Sequence, residues 1–104
     1  ASMSILHTVN KSPFEKNSLD SCLRFAQENS SVLLYEDGVY GALKGTTAEE
    51  QVKTAAGKLK VYVLGPDLKA RGFTADRVVD GVNVVDYAGF VDLAAENDKI
   101  QAWL

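Results

Sequence analysis

An alternation of strand-like and helix-like segments limits what this chain can become. Four short runs dominated by β-branched and aromatic residues, SILHTV (4–9), SVLLYE (31–36), KVYVLG (60–65) and VNVVDY (82–87), are separated by segments whose apolar residues recur at helical spacing. Three of the four runs lack clean period-two alternation. That pattern suits strands covered on both faces, the habit of parallel sheets held between helices. A β-α unit repeated four times, joined by right-handed crossovers, predicts an α/β fold: a three-layer α/β/α sandwich around an open, mainly parallel sheet.

The segments between the runs agree with this. Leu19, Cys22, Leu23 and Ala26 share a helical stripe, with Asn17 or Ser18 available as N-cap and Asn29 or Ser30 beyond the end. Residues 46–58 open on threonines, carry Glu49 and Glu50 where the helix dipole favours them, and stop at Gly57. Pro66 and Gly72 bracket a short helix, and Asp86 caps a longer one, to residue 98, that places Phe90, Leu93 and Ala94 on one stripe. The closing IQAWL (100–104) is apolar enough to be docked, either on a partner or, as we expect, as a fifth edge strand.

At 104 residues the chain is one domain's worth, able to bury roughly two-thirds of its unfolded surface without covalent staples. Ala1 and Ser2, ahead of Met3, read as a remnant outside a single domain over 3–104. No stretch approaches the roughly 18 apolar residues of a membrane span. Eleven Lys and Arg spread thinly over a chain of net charge −3 leave no footprint for direct nucleic-acid binding. A single cysteine excludes an internal disulfide, and with no basic-then-apolar leader pattern the expected compartment is the cytoplasm.

In open α/β sheets ligands gather at the carboxyl ends of the strands. Here that rim carries Glu36, Asp37, Asp67 and Asp86, which would repel phosphate, and neither GxGxxG nor a P-loop is present. Capping and turn-shaping account for these carboxylates without a metal, and no cofactor is expected. A rival reading makes Asp37, Asp67 and Asp86 polar anchors of a stand-alone small-ligand-binding module. His7 lies inside the first strand, too far within the sheet to serve Ser12, Ser18 or Ser21 in a hydrolytic triad. Cys22 divides two ways. Its place early in a helix, with Lys11, Lys16 and Arg24 nearby in sequence, would favour a thiolate, while its stripe of Leu19, Leu23 and Ala26 favours burial. There is no C-x-x-C and no resolving cysteine.

The particular residues carry a resemblance. ILHTVNKSPFE, LLYEDGVYGAL, VYVLGPDLKARGF, VVDYAGFVDL and the final QAWL, in this order, are similar to the DsrH/TusB family of sulfur-relay subunits over essentially Met3 to Leu104. The resemblance implies a DsrE-like fold with a five-stranded, mainly parallel sheet. It also implies a heterohexamer with homologous DsrE/TusD-type and DsrF/TusC-type subunits, which passes persulfide sulfur to a small DsrC/TusE-type acceptor. The main carrier cysteine of such a complex belongs to the DsrE/TusD subunit, so this chain need not be an enzyme by itself. Members from sulfur-oxidising bacteria resemble this chain in having a cysteine on the first helix, whereas several that support tRNA wobble-uridine 2-thiolation lack one. Cys22 is therefore the candidate persulfide carrier of this subunit, and the implied partners lead us to expect an exposed apolar surface, with Trp103, Leu104, Tyr40 and Phe73 as candidates.

Overall fold

The structure, a computed structural model, describes residues 5–14, 17–27 and 30–103. The remnant reading of Ala1 and Ser2, together with Lys16, Asn29 and Leu104, lies outside those residues. Strands β1 (Ile5–Val9), β2 (Ser31–Leu34), β3 (Lys60–Leu64), β4 (Asn83–Val85) and β5 (Lys99–Trp103) form one sheet in the order β4-β3-β2-β1-β5. All four pairings are parallel. The expected fifth edge strand is present, and it lies against β1 rather than β4.

That order decides where the helices go. The connections through α1 (Ser18–Phe25), α2 (Glu49–Ala56) and α3 (Gly65–Ala70) step across the sheet in one direction, whereas α4 (Tyr87–Glu96) steps back over the whole of it. Right-handed crossovers put the first three helices on one face and the last on the other. Side chains follow. Val9, Val32, Leu34, Val61 and Val63 meet Leu19, Cys22 and Leu23 of α1, Val52 and Ala55 of α2 and Leu68 of α3 in the larger core. On the opposite face Leu6 and Leu33, joined by Tyr62 and Val85, meet Phe90, Leu93 and Ala94 of α4. The sandwich is thus lopsided, with three helices on one side and one on the other.

Several boundaries differ from the sequence expectation for local reasons. The second strand stops at Leu34, because Glu36 turns into the left-handed region (φ 48) and starts a 3-10 helix over Glu36–Ala42. This unforeseen segment buries Val39 and Ala42 in the larger core. It approaches β1 so closely that a Cβ on Gly38 would stand 2.2 Å from the Val9 carbonyl oxygen, which already accepts the Tyr35 N–H at 3.1 Å. The helix expected over 46–58 is shorter. Thr46 belongs to a turn, its hydroxyl accepting the Ala48 N–H while the Glu49 carboxylate reaches back to the Gly45 N–H at 2.8 Å. Asp86 does cap α4, accepting the Gly89 N–H at 2.8 Å.

Gly38 gives a direct check of this packing. Gly38→Ala forces a side chain into main-chain atoms that have no rotamer to change, and should destabilise the protein by about 2 kcal/mol or more in urea unfolding. An unchanged midpoint would mean that the 3-10 segment does not lie on β1 as described.

Candidate functional site

Cys22 is the fifth residue of α1, and its side chain points into the larger core with 0% of its surface exposed. Burial pushes the thiol up to about 12. At neutral pH the nucleophilic thiolate is then a negligible fraction of the thiol. Of the cations near it in sequence, Lys16 lies outside the described residues and Arg24 pairs with Asp20 at 3.0 Å on the solvent side of the helix. Asp20 also accepts from Gln51 Nε2 at 2.6 Å, tying α1 to α2. Of the two accounts of Cys22 open in the sequence, the side chain occupies the position that the apolar stripe describes.

His7 sits on the same face of β1 as Val9, and in a parallel pairing its neighbour across the strand is Gln101, with Trp103 two residues further along β5. Trp103 Nε1–H donates to His7 Nδ1 at 3.1 Å, so the imidazole is held neutral with its proton on Nε2. Phe25, at the end of α1, closes the group with ring centroids 6.2 Å from His7 and 5.7 Å from Trp103. Burial lowers the His7 pKa. Trp103, expected as part of an open apolar surface, is instead half-buried in this cluster, and Tyr40 and Phe73 stack edge to face at 5.9 Å against the larger core. Among the described residues the strongly exposed large apolar side chains are Phe14, Phe25, Val84, Tyr87, Val91 and Ile100.

Most of the acidic rim is engaged. Asp37 accepts from Arg71 Nε and Nη2 at 3.2 and 2.9 Å, and Asp67 accepts the Glu36 N–H at 2.7 Å, so the turn after β2 is laced to α3. Arg71 completes the lacing by donating to the Asp67 carbonyl at 3.2 Å. Asp86 alone of the three proposed anchors borders the groove of about 460 Å³ at the ends of β3 and β4, where it is occupied in capping α4. Ser12 is buried and its hydroxyl accepts the Phe14 N–H at 3.2 Å, a loop-shaping bond. Among the described residues no three His, Cys, Asp or Glu converge as metal ligands, and no helix is long and apolar enough to cross a membrane. Sequence reasoning missed Arg71, which sits one turn after Asp67 but finds Asp37 only through the fold, and the His7–Trp103 bond, which joins residues 96 positions apart.

A wholly parallel five-stranded sheet in this order, three helices on one face and one on the other, defines a small three-layer α/β protein. Solved structures share the fold: the YchN protein from Escherichia coli (TM-score 0.82, 20% identity, covering 97% of this chain and 99% of that one) and a protein of unknown function from Methanobacterium thermoautotrophicum (TM-score 0.74, 16% identity, 96% and 99%). Sequence kinship is narrower. The family model described as DsrH like protein matches residues 11–100. Proteins named TusB from Pectobacterium parmentieri and Erwinia tasmaniensis are 36% and 38% identical over 99 residues, 95% of this chain and 100% of each relative. The chain belongs to the DsrH/TusB family.

Burial of His7 sets a pH dependence. Because the folded imidazole holds a proton less readily than an unfolded one, the unfolded state binds more protons as pH falls below the ordinary value of about 6.5. Stability is therefore unaffected above that value and declines as the solution is acidified through it. Thermal unfolding followed by the single tryptophan should fall more steeply between pH 7 and 5.5 in the wild type than in His7→Gln. Equal slopes would contradict a buried neutral His7.

Proposed function

We propose that this chain, read as one domain over residues 3–104, is a cytoplasmic subunit of a hetero-oligomeric sulfur relay. It works beside homologous DsrE/TusD-type and DsrF/TusC-type chains that pass persulfide sulfur to a small DsrC/TusE-type acceptor. The observation that carries the reading is kinship with the DsrH/TusB family along nearly the whole chain. A sealed Cys22 thiol supports the view that the principal carrier cysteine is on a partner. The chain then contributes surface and structure, with direct binding to nucleic acid or membrane no part of its role.

Cys22 has a defined task in this scheme once assembly or local opening uncovers it. Its thiolate attacks the outer sulfur of an incoming persulfide, R–S–SH; the S–S bond breaks, R–S⁻ leaves, and Cys22 holds the new persulfide. In the isolated chain the same thiol is closed to reagents, so alkylation at pH 7.5 should be slow and limited by opening of the fold, with full reaction after unfolding. Rapid alkylation of the folded chain would remove the distinction between uncovered and sealed states. Mass spectrometry after treatment of the assembled complex with a persulfide donor should find 32 Da added to Cys22 if the residue carries sulfur, the mass of one sulfur atom.

Two end uses have separate support. The TusB relatives favour delivery of sulfur for tRNA wobble-uridine 2-thiolation, and a cysteine on the first helix favours sulfur oxidation. Deleting the gene should abolish wobble 2-thiouridine in the first case, and leave it intact while sulfur oxidation stalls in the second. The competing reading as a stand-alone ligand-binding module has the groove beside Asp86 in its favour. Co-expression decides between relay and module: the two homologous subunits should co-elute with this chain in stoichiometric amount, whereas a monomer indifferent to both, carrying a copurified small molecule, would sink the relay.

A further inference from the structure

The helix that stands alone on its face of the sheet is apolar around more of its circumference than the sheet uses. Phe90, Leu93 and Ala94 of α4 turn inwards to Leu6, Leu33, Tyr62 and Val85. Tyr87, Val91 and Ala95, spaced four apart, form a second stripe along solvent, Tyr87 59% and Val91 65% exposed. At about 100° per residue the apolar arc from Leu93 round to Ala95 spans roughly 200°, about twice the width one buried face requires. Beyond the helix, Ile100 on β5 points to this same side of the sheet, in register with Leu6, and is 51% exposed.

The charges alongside are of one sign. Ala88, Asp92 and Glu96 form the adjoining stripe, all exposed, and α4 has no basic residue in its last turn. Glu96 is the last helical residue, where the negative end of the helix dipole disfavours a carboxylate. Neither Asp92 nor Glu96 meets a cation among the described residues. Lys99 is the nearest cation in sequence and is exposed. An apolar stripe bordered by unanswered carboxylates at the unfavourable helix end is complementary to an apolar surface bordered by Lys or Arg. A second copy fits poorly: pairing α4 with α4 across a two-fold axis would bring both acidic stripes into one interface.

We propose that the α4 face, through Tyr87, Val91 and Ala95 with Asp92 and Glu96 beside them, is the docking surface for a partner chain whose contact patch is apolar and edged with basic residues. The inference rests on the relay reading, and its occupant is one of the homologous subunits of that complex. Binding adds a second layer of cover to the exposed half of α4 and places cations where the dipole and both carboxylates attract them.

The test co-expresses this chain with the DsrE/TusD-type and DsrF/TusC-type subunits from the same genome and measures the affinity of the purified subunits for wild type, Val91→Arg and the double variant Asp92→Lys/Glu96→Lys. Val91→Arg should weaken assembly at least about tenfold with its thermal midpoint unchanged. If that midpoint drops, Ala95→Arg on the same stripe takes its place. The charge-reversed double variant should bind several-fold more weakly at low salt and lose the salt dependence that the wild type shows. A wild type that binds the subunits, with variants that bind equally well, overturns this surface and leaves the relay intact. A wild type that binds neither subunit overturns the relay reading and this inference with it. Self-association of the wild type that Val91→Arg abolishes would make a second copy the occupant and also overturns the proposal.

Discussion

The pairing of β5 with β1 is the constraint from which the rest of the architecture follows. Had the last strand joined β4, the sheet would have continued in one direction and every right-handed crossover would have placed its helix on the same side. By returning to the far edge, β5 makes β1 an interior strand and sends α4 alone to the opposite face. β1 through β3 then become the doubly covered centre, with Leu6, Val9, Val32, Leu33, Leu34 and Val63 almost wholly out of solvent. The same return brings Trp103 to His7, so the edge strand is held by a side-chain hydrogen bond as well as by its ladder.

Uneven cover gives the two faces different roles. On the side of three helices the core is deep enough to enclose a cysteine, a chemically quiet position for a thiol in a chain whose relatives belong to a sulfur-relay family. On the side of one helix, a ten-residue element spans part of a five-stranded sheet and leaves its own outer apolar stripe in water. A chain that completes itself on one face and stops short on the other is suited to membership of an assembly. At the rim three of the four carboxylates are spent, Asp37 on Arg71, Asp67 on the Glu36 N–H and Asp86 on a helix cap.

Much of this was legible in residue patterns, because the features concerned are local or periodic. Runs of Val, Leu and Ile without alternation marked buried parallel strands, and Pro66, Gly72 and Asp86 punctuated helices where the structure has them. The 3-10 segment was hidden because the purpose of Gly38 and Gly41, close approach to the Val9 carbonyl and to Leu19, exists only after β1 and α1 are in place. Exposure was misread for a related reason. Trp103, Tyr40 and Phe73 are large and apolar, but each finds an aromatic neighbour distant in sequence, while Val91 and Tyr87 belong to a stripe whose unburied half becomes apparent only when the sheet order leaves α4 without a companion helix. For Cys22 the helical stripe already contained the answer to where the side chain lies.

The central claim is that the sheet is finished on one face and completed by another chain on the other. Amide hydrogen exchange read by mass spectrometry, comparing this chain alone with the chain mixed with the homologous subunits proposed as its partners, tests it most directly. The account predicts new protection concentrated in the peptide covering Tyr87 to Glu96 and in the flanking β5 residues, with the amides of α1 and α2 unchanged. Protection gained over α1 and α2, with α4 exchanging as fast as before, would contradict it.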